Sequence, residues 1–371
     1  MKSTSFIKAG ATGLSAVALV LLGLSAASAE PTAADRPLAA VGSDTTQDVW
    51  NGLSNSGPAR NVASYNAFGT PGLITPKAGG AELARPAGSG AGVKALSAAH
   101  NAGKHTYVDG GTTYTLAESD IDFARSSSSP SVAGTELTFL PFARDAVTVA
   151  YKDSAGSTTL NLTSDQVKNI FSCTEGAGVT VIGGKPVVDG ITLTPKLPQA
   201  ASGTRSFFLK AAGISAVDTS CIPAGEQIYA ENSGAALVNE GDIIPFSAAQ
   251  WIAQKNGVMD DTTGAGQKLA DINSLKAIDP SSAVPALKPG NLYGSASTAP
   301  SSGFGTFARD TYNVVASDVK TSTEHKDVLV RNAVTRQLKT TAGKAIISKY
   351  GFMNLSYVGD WDFGKPSGFT N

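Results

Sequence analysis

Apolar residues along the chain alternate between short continuous runs and runs with helical spacing. Residues 38–41 (Leu-Ala-Ala-Val) predict a buried strand, after which Val49, Trp50 and Leu53 share one face of a predicted helix. The same patterns predict strands at 121–124, 137–151 and 312–316, and helices at 88–96, 162–171, 202–209 and 328–350. Strands that alternate with helices indicate an α/β fold.

The composition agrees with a large folded protein and excludes several classes. Of the 371 residues, 42% are hydrophobic, so the chain has the apolar surface that a disordered chain lacks. Only 16% are charged, against about 25% in an average soluble domain, and 40 residues are glycine. A net charge of -1 argues against a nucleic-acid binder, which normally presents a basic face.

Residues 1–29 have the three parts of a secretory signal peptide. Lys2 and Lys8 are basic, residues 9–24 are apolar or small, and Ala27-Ser28-Ala29 forms a small-residue cleavage site. A transmembrane anchor is the alternative, but the apolar run is short for one. No cysteine follows the cleavage site for lipid attachment. We therefore expect a protein that starts at Glu30, lies in the extracellular space or cell envelope, and does not span the membrane.

Two cysteines, Cys173 and Cys221, are predicted to form a disulfide, because a single pair in an exported protein meets oxidising conditions. Two buried free thiols are the alternative. No metal site is predicted, since neither cysteine has a ligand at zinc-finger spacing and the three histidines are scattered. Nothing in the sequence indicates another cofactor.

Four segments rich in Ser, Thr and Gly lie where a predicted strand gives way to a helix or loop. They cover residues 42–46, 88–92, 125–129 and 202–205. The start of a helix has unpaired N–H groups and the positive end of the helix dipole, and glycine allows a ligand to approach the backbone. Each segment alone is also typical of an ordinary helix cap or polar turn. Together they indicate a site for an oxyanion.

These segments carry a resemblance to a known family. Residues 41–46 (Val-Gly-Ser-Asp-Thr-Thr), 88–94 (Gly-Ser-Gly-Ala-Gly-Val-Lys), 121–127 (Ile-Asp-Phe-Ala-Arg-Ser-Ser) and 202–204 (Ser-Gly-Thr) occur in the order found in the substrate-binding proteins of phosphate ABC transporters. The chain therefore resembles the type II periplasmic-binding-protein family over most of the sequence that follows the signal peptide.

The resemblance implies two α/β lobes joined by a hinge of two crossover strands, with the ligand held between the lobes. It places lobe one at residues 30–150 plus 292–371 and lobe two at residues 151–291. The crossover strands are expected at 146–151 and 312–316. The ligand-binding residues implied by the resemblance are Thr45 or Thr46, Ser89, Ser202, Gly203 and Thr204. Arg125, Ser127 and Arg205, in or next to the same segments, complete the predicted set.

Two positions depart from the family pattern. Ser127 stands where the family has an aspartate that accepts the proton of hydrogen phosphate, and Pro198 stands where it has an arginine. Arg125 or Arg205 could supply the missing guanidinium, and Asp44 could be a relocated proton acceptor or a turn residue that caps a helix. The identity of the oxyanion therefore stays open at this stage.

The sequence as a whole predicts a non-enzymatic, monomeric solute-binding protein that captures phosphate for uptake through an ABC-transporter permease. One alternative is a secreted module that binds another oxyanion or another ligand. A secreted hydrolase is the other, but the chain has no G-x-S-x-G motif, and His100, His105 and His325 resemble surface residues. We therefore expect no catalytic residues.

Overall fold

The computed structural model describes residues 29–31, 36–156, 159–200 and 202–370. The α-helices are α1 (Gln47–Asn55), α2 (Ser89–His100), α3 (Ser164–Ser172), α4 (Gly203–Ala211), α5 (Ala248–Lys255), α6 (His325–Arg331), α7 (Gln337–Lys339) and α8 (Thr341–Lys349). The strands are β1 (Leu38–Gly42), β2 (Val62–Ser64), β3 (Leu73–Ile74), β4 (Leu83–Ala84), β5 (Thr106–Asp109), β6 (Thr112–Thr115), β7 (Phe123–Ser126), β8 (Leu137–Lys152), β9 (Asn161–Leu162), β10 (Thr180–Ile182), β11 (Lys185–Val188), β12 (Ile191–Thr192), β13 (Thr194–Pro195), β14 (Asp242–Ser247), β15 (Gln267–Leu269), β16 (Asp271–Ile272), β17 (Ala308–Ala316) and β18 (Lys365–Ser367).

The main sheet is organised around β8, whose 16 residues are nearly all buried. The strand order is β13-β14-β8-β17-β7-β1-β2, and β15 and β18 also pair with β8. The first part of β8 pairs with β17, and its last residues pair with β14. Because β1 is parallel to β2 and β7, the carboxyl ends of β1 and β7 meet at one edge of the sheet.

Separate hydrophobic clusters lie along β8 and β17, and they form the cores of the two lobes. In lobe one, Trp50 of α1 packs on Phe123 and Phe142. In lobe two, Phe171 of α3 packs on Phe208 of α4 with ring centroids 4.7 Å apart. The expectation of a two-lobe α/β fold is confirmed, and β8 and β17 are the strands that pass between the lobes. The residue boundaries given for the lobes remain a prediction.

The two crossover strands are joined by two buried ion pairs in consecutive positions. Their register places Arg144 opposite Asp310, and Asp145 opposite Arg309. The charged atoms lie 2.9 Å apart in both pairs. Removing one partner of a buried pair leaves an uncompensated charge and costs about 3–5 kcal/mol, so these pairs fix the register of the hinge strands.

The predicted disulfide between Cys173 and Cys221 is confirmed, with Cα atoms 5.4 Å apart. It ties the end of α3 to the loop that follows α4, across 48 residues of sequence. In the chain-entropy model, closing a loop of this size stabilises the fold by about 4 kcal/mol.

The long helix predicted over 328–350 is divided in the structure. The helical segment that begins at His325 includes a π-turn at Asn332–Arg336 and ends with α7, and α8 then begins after Thr340. Thr340 has an extended backbone and its hydroxyl accepts from the Gly343 N–H. A threonine that caps a new helix is therefore the physical reason for the break.

The predicted signal peptide lies outside the described residues, apart from Ala29. In the part of the chain that the structure describes, no helix has both the length and the apolar character needed to cross a membrane.

Candidate functional site

The four Ser-, Thr- and Gly-rich segments meet in the cleft between the lobes. The α4 tip lies against α2 and β7, because a Cβ added at Gly203 would be 2.5 Å from Ser127 Oγ and 3.1 Å from Ser89 Oγ. A larger residue at this position would have to displace the Ser127 hydroxyl. On the other side of the tip, Thr204 Oγ1 is 3.4 Å from Thr45 Oγ1. The structure thus brings together residues from all four segments.

The centre of this cluster is the buried carboxylate of Glu231. Thr45 Oγ1 donates to Glu231 Oε1 at 2.8 Å, and the Thr204 N–H donates to Oε2 at 3.1 Å. Ser202 Oγ also donates to Oε2. The same Ser202 hydroxyl accepts from the Arg205 N–H at 3.0 Å and so caps α4. The first turn of α4 therefore binds a carboxylate in the manner expected for an anion at a helix N-terminus.

Asp44 lies beside Glu231, and the two carboxyl groups share a hydrogen bond. Burial and the charge of Glu231 raise the pKa of Asp44 well above its ordinary value. Burial also disfavours ionised Glu231, but hydrogen bonds from Asp44, Ser202 and Thr45 and the charge of Arg309 outweigh it and lower the Glu231 pKa. Glu231 is thus the charged member of the pair and Asp44 the protonated one.

Arg309 supplies the positive charge next to this carboxyl pair. Its Nε and Nη2 donate to Asp145 Oδ2 at 3.1 and 2.9 Å, and Nη2 also donates to Thr204 Oγ1 at 2.8 Å. Its Nη1 is buried and has no hydrogen-bond partner among the described residues. Arg309 therefore has one guanidinium nitrogen, Nη1, without a partner among the described residues.

The lobe-one wall of the cluster is neutral. Ser89 Oγ lies 3.1 Å from Ser127 Oγ and accepts from the Ser127 N–H at 2.9 Å. Thr46 is also buried here, and its Oγ1 has no partner among the described residues. Thr46 precedes α1 without capping it through its side chain, and Thr45 donates to Glu231.

Neither of the two arginines that the sequence predicted as ligand residues directs its guanidinium at this cluster. All five N–H groups of Arg125 donate within lobe one, to the carbonyl oxygens of four residues and to one hydroxyl. These acceptors are the carbonyls of Ala40, Gly42, Ser43 and Tyr65 and the hydroxyl of Ser64. Arg205 turns away from Glu231, and its guanidinium donates to Pro198 O and Gln227 Oε1.

A cavity of about 240 Å³ borders the cluster. Ser127, Arg309, Lys210 and Lys365 are among the residues that line it. Ser127 therefore faces open space, whereas the part of the cluster around Glu231 is filled by the Glu231 carboxylate.

Sequence reasoning missed Glu231 and Arg309. Glu231 lies in a turn 29 residues beyond Ser202, and nothing in its local sequence marks it. Arg309 did have a signal, because the tripeptide Ala-Arg-Asp occurs at 143–145 and again at 308–310. Adjacent opposite charges inside two strands rich in apolar residues indicate buried, paired positions.

The chain has the two-lobe fold of the periplasmic-binding-protein type. Among solved structures with this fold is a phosphate-binding protein from Stenotrophomonas maltophilia, with a TM-score of 0.51 and 16% identity over 87% of this chain and 91% of that chain. A second is a DING protein, with a TM-score of 0.51 and 18% identity over 87% of this chain and 92% of that chain. No family model and no curated protein matches the sequence.

Proposed function

We propose that this chain is an exported solute-binding protein that captures an oxyanion between its lobes, and that the anion is phosphate. The observation that carries the proposal is the set of donors around the Glu231 carboxylate, which come from both lobes. Two hydroxyls and one backbone N–H converge there on a single negatively charged group. Donors of this kind also bind tetrahedral oxyanions.

The proposed ligand contacts come from seven of the predicted residues and from Arg309. They are Thr45, Thr46, Ser89, Ser127, Ser202, Gly203, Thr204 and Nη1 of Arg309. Arg125 and Arg205 are left out because their guanidinium groups are already bound within the protein. The likeness of the fold to the phosphate-binding protein from Stenotrophomonas maltophilia supports phosphate as the anion.

The wider role is proposed to be uptake without catalysis, by a monomer that delivers phosphate to an ABC-transporter permease. Export through a cleaved signal peptide is part of the proposal. Glu30, the expected first residue after cleavage, is already part of the fold. Its carboxylate pairs with Arg85 at 2.6 Å and accepts from the Asn66 N–H at 2.9 Å.

Thr204→Ala is expected to weaken phosphate binding at least tenfold. A tenfold loss corresponds to about 1.4 kcal/mol, which is close to the value of a hydrogen bond to a charged group. The substitution removes the hydroxyl that links Arg309 to the cleft and keeps the backbone N–H. Isothermal calorimetry of residues 30–371 with inorganic phosphate measures the effect.

Thr180→Ala is the matched control, because Thr180 is exposed on β10 of the same lobe. It is expected to bind phosphate as the native chain does. Absence of heat and of any thermal shift with phosphate, sulfate, arsenate and molybdate would contradict capture of an oxyanion by the native chain.

A further inference from the structure

The anion at the centre of the closed cleft belongs to the protein itself. Glu231 accepts from Ser202 and Thr204 of lobe two and from Thr45 of lobe one. These donors are the ones that the proposed function assigns to an oxyanion. A carboxylate and an oxyanion therefore compete for the same N–H and O–H groups.

Building on the oxyanion site proposed above, we propose that Glu231 is an internal ligand, and that an external oxyanion binds only by displacing its carboxylate. Glu231 is then the residue that sets the affinity of the site. In the closed protein it also links the lobes, because Glu231 belongs to lobe two and its partners Asp44 and Thr45 belong to lobe one.

The displacement is a rotation of the Glu231 side chain, because the turn that carries it is fixed. The next residue, Asn232, accepts from the Ser247 N–H through Oδ1 at 2.9 Å. Its carbonyl accepts from Gln254 Nε2 at 2.9 Å. These two bonds hold the backbone beside Glu231 to β14 and α5, so the side chain can leave without movement of the turn.

Charge prevents Glu231 and a phosphate from sharing the donors. Arg309, whose Nη1 has no partner among the described residues, is already paired with the buried carboxylate of Asp145. A second anion beside ionised Glu231 would be repelled strongly in this buried cleft. Removing the Glu231 charge is therefore expected to favour the external anion.

The test compares phosphate affinity in two variants of Glu231 with the native chain, using residues 30–371 and isothermal calorimetry. Glu231→Ala empties the position, and Glu231→Gln keeps the shape but removes the charge. Both are expected to bind inorganic phosphate at least tenfold more tightly than the native chain. Glu240→Ala is the matched control, since Glu240 is an exposed glutamate of the same lobe, and it is expected to match the native affinity.

Thermal unfolding without ligand checks that each variant is folded, and Glu231→Gln decides the question should Glu231→Ala not fold. Equal or weaker phosphate affinity in a folded Glu231 variant would overturn the internal-ligand proposal and leave the proposed function standing. Binding by Glu231→Ala but not by the native chain would support the internal ligand and overturn native phosphate capture. Absence of phosphate binding by the native chain and by every variant would overturn both the internal-ligand proposal and the proposed function.

Discussion

Arg125→Met is expected to lower the free energy of unfolding by at least about 3 kcal/mol, because it leaves several buried acceptors without their donor. Arg125 is fully buried on β7 and joins the ends of β1 and β2. Its shortest bonds are to the Tyr65 carbonyl at 2.6 Å and to the Ser64 hydroxyl at 2.9 Å. Urea denaturation followed by circular dichroism measures the change.

Arg205→Met is the matched control for this prediction. Arg205 was also a predicted ligand residue, but its half-buried guanidinium donates to Pro198 O and Gln227 Oε1, its two acceptors among the described residues. We expect a loss of about 1 kcal/mol or less. Suppose that Arg125→Met had the same midpoint of urea denaturation as the native chain and lost only phosphate affinity. Arg125 would then be a ligand residue and not a structural one.

The parts of the site that the sequence could predict are those with a local cause. A strand that ends in a Gly-, Ser- or Thr-rich segment before a helix produces free N–H groups at a known place. Ser202 is the clearest example, because it caps α4 and also faces the cleft. The convergence of the four segments follows from the sheet order, which the sequence only implied through its resemblance to a family.

The parts that the sequence could not predict depend on contacts between distant segments. Arg125 was predicted to face a ligand, because its position in the same segment as Ser127 fits a ligand residue as well as a structural one. The parallel pairing of β7 with β1, and of β1 with β2, instead surrounds its side chain with carbonyl oxygens. Glu231 reaches the site because the segment before it pairs with residues next to Ser202, where the Gln199 N–H donates to Tyr229 O at 2.9 Å.

The few charges that the chain buries at the hinge are paired with one another. The buried charges there are arranged as pairs, Arg144 with Asp310 and Arg309 with Asp145. Each acid is satisfied by further donors, such as Ser247 Oγ, which donates to Asp145 Oδ1 at 2.8 Å. The donors around Glu231 include hydroxyls and a backbone N–H group, which need no formal charge to hold an anion.

Asp48→Asn is expected to raise stability above pH 7 and to leave it nearly unchanged at pH 4. Burial on α1 raises the Asp48 pKa from 3.8 to about 7, despite the opposing charge of Arg125. Between these two values the folded chain holds a proton that the unfolded chain has lost, so this carboxyl destabilises the fold progressively as pH rises. Three pKa units correspond to about 4 kcal/mol, which is the upper limit of the gain.

Urea denaturation of the native chain and the variant at pH 4 and pH 8 measures the difference. Asp165→Asn is the control, because Asp165 also lies in the first turn of a helix, α3, but is exposed. It is expected to leave the pH dependence of stability as it is in the native chain. Comparison of variants is needed because burial also raises the pKa of Asp122 and Asp145, which contribute to the native pH profile. An Asp48→Asn variant that lost as much stability between pH 4 and pH 8 as the native chain would show that Asp48 is ionised throughout this range.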